Sequence, residues 1–161
     1  MTTIAWRSGV LAADGRVTLG TQIRADNYQK ITEIVGKEAT ILGEQVLAYA
    51  LAGSVAGKVV LEAILEEGLD AYSTLDTEDD FQAICVTGKS AYMVNKDKDK
   101  NVFQIFRIPE DMHYSIGSGA AVANYILSKG GDPVDAIVGA ISTDMGSGGD
   151  VTRWERDKEL A

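Results

Sequence analysis

The order in which strand-like and helix-like segments follow one another is the strongest constraint this chain carries. Its N-terminal third consists of short runs rich in β-branched residues and punctuated by glycine: 3–6, 10–13, 16–19, 27–35, 39–42 and 45–51. A helix is predicted from a Ser54 cap to about Glu67, with Lys58, Glu62 and Glu66 as its polar stripe, Val55, Val59, Val60, Ala63 and Ile64 apolar around it, and Gly68 ending it. A second strand group follows at 82–86, 91–94 and 102–108. Residues 114–119 lead into an Ala-rich helix reaching about Lys129. Asp132 then caps a last helix, with Pro133 at its first position, where a missing N–H does no harm. Strands and helices that segregate in this way suit an α+β fold, not the alternation of a parallel α/β sheet.

A length of 161 residues fits a single domain spanning 1–161, its C-terminal tail, 148–161, offering at most one last strand. Apolar residues at 45% and charged ones at 24% place the chain among folded proteins. The formal charge of −9 argues against a basic face for nucleic acid. One cysteine, Cys85, excludes an internal disulfide, and one histidine, His113, leaves nothing for a His-rich zinc site. Both are expected in strands as packing residues. The opening Met1-Thr2-Thr3-Ile4-Ala5-Trp6 has no basic region, and no apolar run approaches the roughly 18 residues of a membrane span. A cytoplasmic, reduced, soluble protein is therefore expected.

Several motifs have plain readings. Ala52-Gly53-Ser54-Val55-Ala56-Gly57-Lys58-Val59 nearly matches a phosphate-binding loop. However, Ala52 replaces a required glycine and Val59 the hydroxyl that would hold Mg²⁺. The acidic run 76–80 reads as a solvated loop or helix start, and Lys96-Asp97-Lys98-Asp99-Lys100 as a solvated hairpin tip. Asp14-Gly15 reads locally as a tight hairpin turn.

Thr2 opens a different possibility. A small residue after Met1 permits removal of the initiator methionine, leaving a hydroxyl nucleophile and a free α-amine on one residue. An α-amine has a pKa of about 8, suited to a general base near neutral pH, so no histidine is needed.

Further along, Leu11-Ala12-Ala13-Asp14-Gly15-Arg16-Val17-Thr18-Leu19-Gly20, Asn27-Tyr28-Gln29-Lys30-Ile31, Ala52-Gly53-Ser54, Ile116-Gly117-Ser118-Gly119 and Asp144-Met145-Gly146-Ser147-Gly148-Gly149 follow Thr2-Thr3-Ile4 in a fixed order. This ordered set resembles proteasome β subunits and their bacterial HslV-type relatives and spans nearly the whole chain. The resemblance implies the four-layer αββα sandwich of N-terminal-nucleophile hydrolases and a threonine endopeptidase. In that scheme Thr2 is the nucleophile. Lys30 is the lysine that lowers the pKa of its hydroxyl, and Asp14 the carboxylate that orients Lys30. Gly53 supplies the oxyanion N–H, and Ser118, Asp144 and Ser147 orient the amine. The local alternatives are a hairpin turn for Asp14, a solvated strand lysine for Lys30, a flexible residue for Gly53, and Gly-Ser turn chemistry for the rest.

Val17, Tyr28 and Ala50 would line a pocket for apolar side chains. The family further implies polypeptide substrates, a homo-oligomeric ring enclosing the sites and an ATP-driven unfoldase, with no metal or organic cofactor. Asp-x-x-Ser-Gly-Gly is nearer to the β subunits than to the HslV branch. Two departures stand out: Gly57 occupies a position that is usually acidic, and the strand expected after Gly149 is replaced by a charged segment, 150–156. A non-catalytic ring or scaffold subunit and a small-molecule amidase of the same fold are the alternatives.

Overall fold

The computed structural model describes residues 2–156. Met1, whose removal the expected Thr2 nucleophile would require, and the end of the tail, 157–161, lie outside the described residues. In chain order come β1 (Thr3–Arg7), β2 (Val10–Ala13), β3 (Val17–Leu19), β4 (Gln22–Ala25), β5 (Ile31–Glu33), β6 (Thr40–Ile41), β7 (Glu44–Gly53) and α1 (Gly57–Glu67). They are followed by β8 (Phe81–Thr87), β9 (Ala91–Lys96), β10 (Phe103–Ile108), β11 (Tyr114–Gly117), α2 (Ala120–Ser128), α3 (Pro133–Thr143) and β12 (Thr152–Glu155). The α+β class expected from the segment order is the class observed. Two compact units divide the chain: residues up to Ile31 with Glu110–Glu155, and Thr32–Pro109 with Arg156.

The first unit is built on an antiparallel sheet in the order β11-β1-β2-β12. Ala5 pairs with Ala12, and these small side chains pack with Ala123 and Leu127 of α2 and Ala136 and Ile137 of α3. Short side chains on both surfaces let helices and sheet approach closely, and full burial of this patch supplies the driving force. The start of α3 follows its sequence signal. The Asp132 carboxylate accepts the Asp135 N–H at 2.8 Å, the Asp135 carboxylate accepts the Asp132 N–H at 3.1 Å, and Pro133 opens the helix. The charged tail segment does form a strand. In β12, Thr152 and Trp154 are half-buried while Arg153 and Glu155 face solvent, and Trp154 pairs with Leu11. On an edge strand, alternation needs only one apolar-facing row, so the charges are compatible with pairing.

The second unit holds the sheet β10-β9-β8-β7-β5, with β6 paired to β7. Leu61, Ile64 and Leu65 of α1 pack with Tyr49, Val46, Ile41 and Leu69, and the Tyr49 hydroxyl donates to Glu62.

Several local expectations are corrected. Asp14-Gly15 is no hairpin turn: β2 pairs with β1 and β12, and the hairpin is formed by β3 and β4, of which β4 carried no clear apolar run. The strand expected over 27–35 is only β5. Ser54 does not cap α1, which begins three residues later at Gly57 with no side-chain cap. The Ser54 hydroxyl donates instead to Asp79 at 3.1 Å, so the acidic run serves as its anchor. Val55, Val59 and Ala63 are exposed, because α1 buries Gly57, Leu61, Ile64 and Leu65 instead. Gly57 itself packs on Phe81, where a Cβ would lie 2.8 Å from a ring carbon, so this position excludes an acidic side chain. His113 lies in the loop before β11, whereas Cys85 is fully buried on β8, where burial pushes its thiol up to about 12. Lys96, expected at a solvated tip, is fully buried.

Candidate functional site

In the first unit, β1 and β2 deliver Thr2, Thr3 and Asp14 to neighbouring positions, because the Asp14 N–H donates to the Thr3 carbonyl at 3.2 Å. Buried apolar residues of β2 run up to Asp14, whose carboxylate is then turned inward and has no exposure. A buried carboxylate must be satisfied. Oδ1 accepts from the Thr3 N–H at 3.0 Å and from Lys30 Nζ at 2.7 Å. Oδ2 accepts from the Gly148 N–H at 3.0 Å and the Arg16 N–H at 3.3 Å. Four N–H donors thus fill the acceptor capacity of Asp14, an arrangement opposite to that of a metal ligand.

The side chain of Lys30 is 4% exposed. Burial lowers its pKa, and the hydrogen bond and charge of Asp14 only partly restore it.

The Thr2–Thr3 peptide is fixed from both sides. Its N–H points to Asp14, while its carbonyl accepts the Ser118 N–H at 2.8 Å. Gly117, at φ +98°, makes this approach possible, since a Cβ there would lie 1.8 Å from the Thr2 carbonyl oxygen. Thr2 itself is 7% exposed.

A second polar cluster lies beside the first. Ser118 Oγ and Ser147 Oγ both donate to Asp144 Oδ2, at 2.5 and 2.6 Å, and the Gly146 N–H reaches Oδ1 at 3.3 Å. Desolvation tends to raise the Asp144 pKa, but the two hydroxyls and the amide outweigh it and hold the carboxyl below the usual range. Ser147 Oγ also lies 2.6 Å from Thr3 Oγ1.

Of the residues singled out in the sequence, Thr2, Asp14, Lys30, Ser118, Asp144 and Ser147 come together in this unit. Val17 sits half-buried on β3, and Tyr28 lies in the loop before β5, its N–H bonded to the Gly15 carbonyl at 3.0 Å. Gly53 and Ala50 belong to the second unit. Gly53 ends β7 at φ +117°, against the backbone of Asp80 and Phe81, and Ala50 is fully buried on the same strand.

Thr3 and Arg16 were given no role in the sequence. Arg16 spans Asp26, at 2.7 and 3.3 Å, and the Met145 carbonyl at 3.2 Å, bracing the 144–149 loop. Its position two residues after Asp14 was the available signal. For Thr3, the signal was its place directly after the candidate nucleophile.

No protein-family model matches this sequence, and neither does any curated protein. Solved structures do. Eukaryotic HslV from Trypanosoma brucei is similar at TM-score 0.66 and 17% identity, covering 96% of this chain and 98% of that one. Thiobacillus denitrificans BPH is similar at TM-score 0.64 and 14% identity, over 97% and 98% of the two chains. The same protein in complex with Epoxomicin gives TM-score 0.61 and 16% identity at the same coverage. At this level of identity it is the fold that is shared, and the chain has the α+β fold of the HslV and proteasome β type of N-terminal-nucleophile hydrolase.

Proposed function

We propose that this protein is a threonine peptidase that uses Thr2, freed of Met1, as its nucleophile. The observation that carries the reading is the Thr2–Thr3 peptide pinned between the Ser118 amide and the buried Asp14–Lys30 pair. Thr2 Oγ1 attacks the scissile carbonyl and gives its proton to its own α-amine. The Lys30 ammonium, tied through Asp14 to the Thr2–Thr3 peptide, makes the hydroxyl easier to ionise. The family resemblance assigns the oxyanion to the Gly53 N–H. The amine, held by the Ser118, Ser147 and Asp144 cluster, passes its proton to the leaving nitrogen. Water then attacks the ester, again giving its proton to the amine, and the acid leaves with Thr2 restored. Substrates are polypeptides, with apolar side chains seated against Val17 and Tyr28; Ala50 is fully buried and lines no open pocket. The working form is a cytoplasmic homo-oligomeric ring supplied by an ATP-driven unfoldase.

The structural neighbour solved with Epoxomicin suggests the probe. An epoxyketone bonds to both the hydroxyl and the amine of one N-terminal residue. Intact mass of the full chain lacking Met1 is expected to rise by one adduct, mapped to Thr2, with none in Thr2→Ala. An exposed Thr2 that takes no adduct overturns the peptidase and leaves the scaffold reading. An adduct-forming monomer that cleaves small amides but no polypeptide would point to the amidase.

A further inference from the structure

Thr3 has no exposure and touches both polar clusters of the site. Its N–H is bonded to Asp14 Oδ1 at 3.0 Å, and its Oγ1 lies 2.6 Å from Ser147 Oγ. The direction of that second bond follows from proton counting. The carboxylate of Asp144 can only accept, so Ser118 and Ser147 each spend their single hydroxyl proton on it. Ser147 Oγ therefore has only lone pairs to offer Thr3, and the Thr3 hydroxyl is the donor. The chain of donation runs Thr3 to Ser147 to Asp144, and it fixes the Ser147 oxygen from two directions. Gly119 makes room for this contact: a Cβ there would lie 2.2 Å from Thr3 Oγ1, so any other residue would displace the hydroxyl or the turn.

We infer that Thr3 is a positioning residue for Thr2: its hydroxyl locks Ser147, one of the groups proposed above to hold the Thr2 amine, to the same peptide that the Asp14–Lys30 pair holds. This rests on the peptidase reading. A purely structural role makes a different demand. A buried β-strand position is served as well by Val, which has nearly the shape of Thr, is β-branched and has no hydroxyl to satisfy. Ser has the hydroxyl but lacks the methyl group and the strand preference. The two substitutions therefore separate the hydroxyl from the packing.

The experiment uses the full chain with Met1 removed, and compares wild type, Thr3→Val and Thr3→Ser. It measures the epoxyketone inactivation rate, kcat and KM on a fluorogenic peptide, and Tm. Thr3→Val is expected to keep or raise Tm, lower kcat and the inactivation rate about tenfold, and leave KM within about twofold. Thr3→Ser is expected to lower Tm while reacting within about threefold of wild type. Wild-type kinetics in Thr3→Val overturn the inference, as does a Thr3→Ser as slow as Thr3→Val. A Thr3→Val that loses more stability than Thr3→Ser makes the hydroxyl a folding element and overturns it too. A wild type with Thr2 exposed that forms no adduct removes the peptidase reading and this role together, whereas a reactive wild type with an equally reactive Thr3→Val removes only the role.

Discussion

Two buried lysines, one in each unit, show how differently the same ion can be accommodated. Lys96, at the end of β9, is fully buried, and its ammonium donates to the Asp97 carbonyl at 2.6 Å and to the carbonyl of Lys100. Both acceptors belong to the adjoining tip, so this ammonium closes a turn. Lys30 is almost as buried, but its partner is a charged carboxylate 16 residues away in the chain. That carboxylate is itself anchored to the backbone N–H groups of Thr3, Arg16 and Gly148. A displacement of Lys96 is absorbed locally. A displacement of Lys30 is transmitted through Asp14 to the peptide next to Thr2.

The comparison breaks most visibly at Lys30. Replacing it with Met removes one partner of a buried ion pair and leaves the Asp14 charge inside, a change that typically costs about 3 kcal/mol or more. Urea denaturation of Lys30→Met should show this loss, and the epoxyketone rate should fall about a hundredfold or more, as expected for a group acting on the nucleophile. A variant that is destabilised yet fully reactive would make Lys30 another structural ammonium. Lys96→Met is expected to be milder. It strips the donor from two carbonyls, at a cost of about 1–3 kcal/mol, nearer the lower figure because an opened tip lets water reach them. Faster hydrogen exchange confined to 97–101, with a reaction rate within about twofold of wild type, is the expected signature.

What could be read from the sequence divides along the same line of local against distant. The α3 start was legible because Asp132, Pro133 and Asp135 satisfy one another within a single turn. The same local logic failed at Ser54, whose hydroxyl found Asp79, 25 positions away, before it could cap α1. It failed again at Lys96, where alternating charge looks solvated although one side chain folds back to bond carbonyls. Asp14 and Lys30 carry no local sign that they pair, and only the ordered family resemblance set them together. Thr3 escaped notice for a related reason. Its hydroxyl acquires a partner only when the 144–149 loop, 144 positions away at Ser147, is folded against β1. The charged strand β12 was legible only as an option for the tail, because an edge strand needs only every second residue to face inward.

The smallest expected effect concerns pH and separates the second cluster from the first. Asp144 has its pKa lowered in the folded state by the Ser118 and Ser147 hydroxyls and the Gly146 amide, which outweigh desolvation. A carboxyl depressed on folding binds fewer protons folded than unfolded, so its contribution to stability is complete above the unfolded value of about 3.8 and fades as pH falls through the lower folded one. Lys30 is depressed as well, but for a lysine the sign differs: burial disfavours its protonated form, so its own titration adds stability only as pH rises towards its unfolded value, far from acid. Urea midpoints of wild type and Asp144→Asn should therefore differ by a constant amount from pH 7 to about 5 and converge below about 3.8. A wild-type–Asp144→Asn gap that is flat down to pH 3 would mean that the serine hydroxyls do not stabilise the ionised Asp144.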